Sequence, residues 1–138
     1  AKLSENETAA LIILDIDYFK TINDKYGHPC GDAVLVESAK LLKELFRSGD
    51  VVGRLGGDEF AVFMQGFSSR KALEEKCTKL CESFTNAVFE KGIKVTISVG
   101  VAIAVKGQKY QELYEKTDRA LYLAKEKGRN RYEISLDT

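Results

Sequence analysis

From residue 93 to residue 105 every second side chain is a β-branched aliphatic: Ile93, Val95, Ile97, Val99, Val101, Ile103 and Val105. Strand side chains alternate between two faces, so this period of two, with smaller or polar residues between, predicts a β-strand. Such a strand needs a sheet to sit in. Residues 9–16 (AALIILDI) form a continuous apolar run that reads as a second, fully buried strand. Residues 51–55 and 60–64 flank the loop Gly56-Gly57-Asp58-Glu59 and predict a hairpin, and residues 131–136 a short final strand.

Helical periodicity fills the gaps. Residues 18–26 and 32–46 predict two helices separated by GHPCG, where Gly27 suits a helix end and Pro29 with Gly31 argue against continuity. Leu35, Ala39, Leu42 and Phe46 make the apolar stripe of the second. Ser68 or Ser69 caps a helix running to about residue 89. Residues 110–127 form the last, with Leu113, Tyr114, Thr117, Leu121 and Ala124 on one face and Gly128 as its stop. The order β-α-α-β-β-α-β-α-β, without linker or repeat, predicts an α+β domain: a central, mostly antiparallel five-stranded sheet flanked by helices. At 138 residues the chain fits one domain, residues 9–138, and with a start at Ala1 rather than Met, residues 1–8 are expected to be the remnant of a longer parent.

Composition excludes several functions. With 21 basic and 21 acidic residues the net charge is zero, which argues against a broad basic face for nucleic acid. Runs free of charged and hydroxyl residues, such as 60–67 and 99–105, fall far short of the ~20 residues needed to span a bilayer, and no secretory signal opens the chain. Any membrane anchor of the parent is expected outside this segment. Cys30, Cys77 and Cys81 are an odd set without a CxxC pair, as expected of reduced thiols in a cytoplasm. Cys77 and Cys81 continue the stripe Leu73, Cys77, Leu80, Cys81, Phe84, Val88 and are expected in the core.

Asp15 closes the first strand, while Asp58 and Glu59 sit at the hairpin tip. If the hairpin lies beside that strand, these carboxylates meet at one sheet edge. Hard oxygen donors of this kind suit Mg²⁺ bound together with substrate phosphates. Spacing alone fits solvated turn residues equally well. Asp17-Tyr18-Phe19-Lys20 opens a helix directly after a strand, where free backbone N–H groups can receive phosphate and Lys20 adds charge. Lys125 and Arg129 end the last helix, a position that favours cations even without a ligand.

Taken together, these blocks resemble the GGDEF family of diguanylate cyclase domains. Arg54 to Phe60 (RLGGDEF) is similar to its signature; Leu14 to Lys20 with Ile22-Asn23-Asp24, Gly27-His28 with Gly31-Asp32, Thr96 to Gly100, and Ala120 to Asn130 resemble its other motifs in family order. The resemblance implies a ferredoxin-like, nucleotidyl-cyclase palm-like fold and condensation of two GTP into cyclic di-GMP with release of two pyrophosphates. By position it implies Mg²⁺, or Mn²⁺ in its place, on Asp15, Asp58 and the Ile16 carbonyl. Glu59, or alternatively Asp58 or a metal-bound water, would deprotonate the 3′-hydroxyl. Asn23 and Asp32 would read guanine, and Phe19 and His28 would lie along the nucleotide, although His28 reads equally as a loop-packing residue. Lys20, Lys125 and Arg129 would hold phosphates. Gly56 and Gly57 would let backbone approach the α-phosphate, so that Ala there impairs turnover without necessarily unfolding the domain.

Arg47-Ser48-Gly49-Asp50 is an RxxD at the offset of the family's product-inhibition site, so Arg47 and Asp50 are expected to bind cyclic di-GMP. The family usually carries a further helix and a DxLTxLxNR-like segment before the first strand, which residues 1–8 do not supply. Turnover would require a homodimer of domains, brought together by an upstream sensor or dimerising module. The alternatives are a catalytically weak regulatory module that binds GTP or cyclic di-GMP, and an RNA-binding domain. The latter is disfavoured because the long strand lacks aromatic platforms.

Overall fold

The computed structural model describes residues 8–136. Its elements are β1 (Ala9–Ile16), α1 (Phe19–Tyr26), α2 (His28–Leu45), β2 (Val51–Gly56), β3 (Glu59–Gln65), α3 (Arg70–Asn86), a 3₁₀ turn (Glu90–Gly92), β4 (Ile97–Ile103), α4 (Tyr110–Glu126) and β5 (Arg131–Ile134). They build one sheet in the order β2-β3-β1-β4-β5. The first three pairings are antiparallel, but β5 joins β4 in parallel, with α4 as the crossover that a parallel pair requires. The sheet is therefore mixed within the expected α+β architecture.

Its central position explains why β1 is apolar without interruption: all eight residues are buried. Ala10, Ile12, Leu14 and Ile16 join a large core with Val34 and Leu42 of α2 and Leu73 and Phe84 of α3. Leu11 and Ile13 point the other way, to Leu113 and Leu121 of α4. The same division runs along β4. Ile97, Val99 and Val101 enter the large core. On the other face, a Cβ placed on Gly100 would lie 2.3 Å from Leu121 N and 2.4 Å from Thr117 O. Helix α4 thus rests on the strand backbone, and the small residues between the β-branched ones set how closely it approaches.

Several boundaries differ from expectation. β4 begins at Ile97 rather than residue 93. Ile93 and Val95 are buried outside the ladder, and Val105 is exposed, because periodicity reports burial and pairing stops where β1 stops. Helix α2 starts at His28: Pro29 falls in the first turn, where its missing N–H costs nothing, and Gly31 continues the helix. Ser69 caps α3, its hydroxyl accepting from Ala72 N, but the helix ends at Asn86. Val88 consequently leaves the stripe and is exposed, while Phe89 stacks on Phe84. Cys77 is buried and Cys81 half-buried, and burial pushes both thiols up to about 12, so they behave as packing groups. Residues 1–7 of the expected leftover segment lie outside the described residues; Thr8 bonds the end of β3 through Gly66 N and Phe67 O. No helix among the described residues is long and apolar enough to cross a membrane.

Candidate active site

Asp15 and Glu59 are direct partners in the β1–β3 ladder, and the neighbouring Asp58 carbonyl accepts from Ile16 N at 3.2 Å. The hairpin does lie beside the first strand, and the three acidic residues converge at one sheet edge. Asp15 and Glu59 share the face that α4 covers, as their odd register positions with Leu11 and Ala61 require. From α4, Lys125 Nζ reaches across and pairs with Asp15 Oδ2. Burial, followed by repulsion from Asp15, raises Asp58 above the ordinary carboxylate range. The same two causes push Glu59 from 4.5 up to about 7, followed by a side-chain hydrogen bond with Asp15 that favours the protonated acid and by repulsion from Asp118 of α4.

Asp15 Oδ1 is buried without a hydrogen-bond donor. Crowded, partly dehydrated carboxylates with an orphaned oxygen are what a bound cation relieves, so the residues present fit a divalent metal. Among the described residues no group of three or more His, Cys, Asp and Glu side chains forms a ready cage. A cation held by Asp15 and Asp58 would complete its shell with water and ligand phosphates, as Mg²⁺ does.

The hairpin turn is tighter than expected. Strand β2 runs to Gly56 and β3 starts at Glu59, leaving Gly57 and Asp58 as the turn, with a register shift between Arg54 and Gly56. Arg54 donates from Nε and Nη2 to Gly57 O at 2.9 and 2.6 Å, pinning the tip. Nothing lies within 4 Å of a Cβ built at Gly56 or Gly57, so the tip is open to a ligand. Their φ values of 146° and 50° add a second requirement: this backbone strains any L side chain, so Ala there would distort the turn as well as narrow the approach.

At the α1–α2 junction Asn23 Oδ1 is also buried without a partner, and it occupies the space that a Gly31 side chain would need. The Phe19 ring lies 3.3 Å from the same point. Asp32, one residue on, is exposed at a cleft of about 460 Å³ bounded by Leu35, Val36, Lys43, Val52 and Arg54. Lys20 and His28 are exposed in the opening turns of α1 and α2.

Arg129 stands apart from Lys125. Its guanidinium lies 5.0 Å from the Tyr18 ring centroid and 3.9 Å from Asp17 Oδ1. Asp17 is a site residue that motif reading left without a role. Its carboxylate faces Thr96 and Ser98, two hydroxyl residues of matching parity around the start of β4 that could have revealed it.

Arg47 and Asp50 lie at the opposite end of β3. Asp50 is consumed internally: Oδ2 accepts from Arg47 N and Oδ1 from Gln65 N, both at 3.1 Å, and the side chain is 2% exposed. Arg47 donates to Gln65 O and keeps most of its guanidinium in solvent. Gln65 and Glu59 end β3 on opposite sides, six residue steps or about 20 Å apart.

Residues 1–131 match the family model described as diguanylate cyclase, GGDEF domain. The chain is 41% identical over 133 residues to diguanylate cyclase DgcS of Shewanella oneidensis, covering 93% of this chain and 43% of that protein. It is 40% identical over 134 residues to diguanylate cyclase A of Treponema denticola, covering 95% of this chain and 36% of the relative. The chain therefore spans less than half the length of these relatives. Among solved structures, the GGDEF domain of DgcB from Caulobacter crescentus in complex with c-di-GMP superposes with a TM-score of 0.86 at 27% identity, covering 94% of this chain and 78% of that one. The active GGEEF domain of a diguanylate cyclase from Vibrio cholerae gives 0.85 at 31% identity, covering 95% and 85%. A match over nearly the whole length, on the fold and around the acidic hairpin described above, places the chain in the GGDEF domain family of diguanylate cyclases.

Proposed function

We propose that this domain is a diguanylate cyclase half-site, a nucleotidyltransferase that holds one GTP and, facing a second copy, joins two GTP into cyclic di-GMP and two pyrophosphates. The observation that carries the reading is the convergence of Asp15, Asp58 and Glu59 with Lys125 at one sheet edge. Asp15 and Asp58, with the Ile16 carbonyl, would hold Mg²⁺ or Mn²⁺, which when bound offsets charge on the reacting phosphate and activates the attacking oxygen. Glu59, with a pKa raised to about 7, is matched to take the 3′-hydroxyl proton near neutral pH. Asn23 and Asp32 offer acceptors to guanine; adenine lacks the matching donors and would leave them unpaired. Phe19 and His28 border that end of the nucleotide, while Lys20, Lys125 and Arg129 supply positive charge to the phosphates.

Each copy contributes half the two-nucleotide site, so turnover depends on pairing. A tethered partner raises the effective concentration to roughly millimolar, the service an upstream module of the parent would provide, with GTP drawn from the cytoplasm. Product binding would centre on Arg47, with Asp50 fixing the turn that presents it. About 20 Å from Glu59, a product molecule there would inhibit without displacing GTP.

The test is incubation of concentrated protein with GTP and Mg²⁺, with chromatographic separation of the nucleotides. Wild type should form cyclic di-GMP, and Asp58→Ala and Glu59→Ala should not. Product formation at the wild-type rate in both variants would refute the assignment, and GTP binding without product in wild type would leave a regulatory binding module.

A further inference from the structure

Asp17 is buried, yet its side chain touches neither Asp15 nor Asp58 in any hydrogen bond. Its Oδ2 accepts from Thr96 Oγ1 at 2.7 Å and from Asn130 N at 3.0 Å, and its Oδ1 accepts from Ser98 Oγ at 2.6 Å. The carboxylate thereby ties the end of β1 to the approach of β4 and to the turn between α4 and β5. That turn is unusual. Arg129 and Asn130 both have left-handed backbones, at φ 66° and 47°, and so does Tyr18 beside Asp17, at φ 57°. Asparagine adopts this conformation readily, but Arg129 and Tyr18 do so at a cost that surrounding contacts must offset. The residue these contacts orient is Arg129, whose guanidinium lies over the exposed Tyr18 ring and 3.9 Å from Asp17 Oδ1.

We propose that Asp17 is a positioning residue: with Tyr18 it presets the Arg129 guanidinium, and so governs how strongly the site prefers a nucleoside triphosphate to a monophosphate. The proposal rests on the reading of Arg129 as a phosphate-binding group. An unrestrained arginine would lose side-chain freedom on binding phosphate; one already held by a carboxylate, a ring and a left-handed turn has less to lose. Tyr18 contributes through its π face. Among the residues read as phosphate- or guanine-binding, Arg129 is the one whose side chain meets both of theirs, so the effect is expected to fall on ligands that reach it.

Calorimetric titration of GTP and of GMP, each with Mg²⁺, decides the matter for wild type, Asp17→Asn, Arg129→Ala, the double variant and Tyr18→Leu. Asn retains an acceptor for Asn130 N, and the Thr96 and Ser98 hydroxyls can rotate to meet it, so the charge is what the substitution removes. Asp17→Asn and Arg129→Ala should each weaken GTP about tenfold, the scale of one charge-assisted contact, and leave GMP within about twofold. The double variant should bind GTP no more weakly than Arg129→Ala. Tyr18→Leu should cost roughly two- to fivefold on GTP alone, and it decides the question if Asp17→Asn melts too low to titrate. Equal weakening of GTP and GMP by Asp17→Asn, additive losses in the double variant, or unchanged GTP affinity in Tyr18→Leu would each overturn the positioning role while wild-type GTP binding stands. A wild type that binds neither nucleotide would remove the nucleotide site itself, and the proposal with it.

Discussion

Gly100→Ala adds one methyl group where α4 lies on β4. The new Cβ would stand 2.3 Å from Leu121 N, 2.4 Å from Thr117 O and 2.7 Å from Leu121 Cα, all backbone atoms that cannot rotate aside. Ordinary contact needs about 3.5 Å or more, so the helix must withdraw by about 1 Å or the central strand must bend. Overpacking a well-filled core costs typically 1–3 kcal/mol. With backbone on both sides we expect the upper end, about 3 kcal/mol. For a domain of this size that is a fall in Tm of about 10 °C. Because α4 also carries Lys125, the same displacement draws the ammonium away from Asp15, so cyclic di-GMP formation should fall even in the fraction that remains folded. Urea denaturation and chromatographic turnover on one preparation read both effects. A stability within about 0.5 kcal/mol of wild type, in the range of a neutral surface change, would refute the claim that bare backbone contact sets the helix position.

Glu59→Gln tests the crowded carboxylates through pH. The folded pKa of about 7 stands above the ordinary 4.5, so the folded protein binds the proton more tightly and ligand-free stability from this group is lost as pH rises from 4.5 through 7. Gln abolishes that loss, worth about 1 kcal/mol after solvent screening, and identical urea midpoint changes between pH 5 and pH 8 in wild type and variant would contradict it. Ser38 Oγ is buried without a partner, so Ser38→Ala should be neutral or stabilising by up to about 1 kcal/mol in thermal melts; a clear loss would show that the hydroxyl has a role. Arg47→Ala should relieve inhibition by added cyclic di-GMP with little change in Tm, whereas Asp50→Ala should lower Tm by leaving Arg47 N and Gln65 N unpaired; unchanged product inhibition in Arg47→Ala would exclude that site.

The sheet was legible in the sequence because its strands are extreme: β1 and β4 are each buried on both faces, β1 as an unbroken apolar run and β4 as β-branched residues alternating with the small Ser98, Gly100 and Ala102 that lie under α4. The motif carboxylates were legible for a related reason, since a strand end and a hairpin tip are places that local sequence marks well. Partners distant in sequence were harder. Nothing adjacent to Asp17 in the sequence announces that Asn130 and Ser98 will surround it, because Ser98 arrives only when β4 pairs with β1, and Asn130 only after α4 has carried the chain back toward β5. Asp118 is likewise an ordinary helix acid until α4 packs over Glu59. The start of α2 was misplaced because Pro29 and Gly31 break a helix interior but not its first turn. The RxxD was read as a binding motif, while the structure also gives Asp50 a local task in closing the β2–β3 unit.

The most direct test is the Mg²⁺ dependence of GTP affinity in wild type, Asp15→Asn and Asp58→Asn. If two strands join their carboxylates to hold a triphosphate through a divalent ion, Mg²⁺ should tighten GTP binding to wild type by at least about tenfold, and each substitution should abolish most of that gain. Equal GTP affinity in Mg²⁺ and in chelator, or a full Mg²⁺ effect retained in both variants, would contradict it.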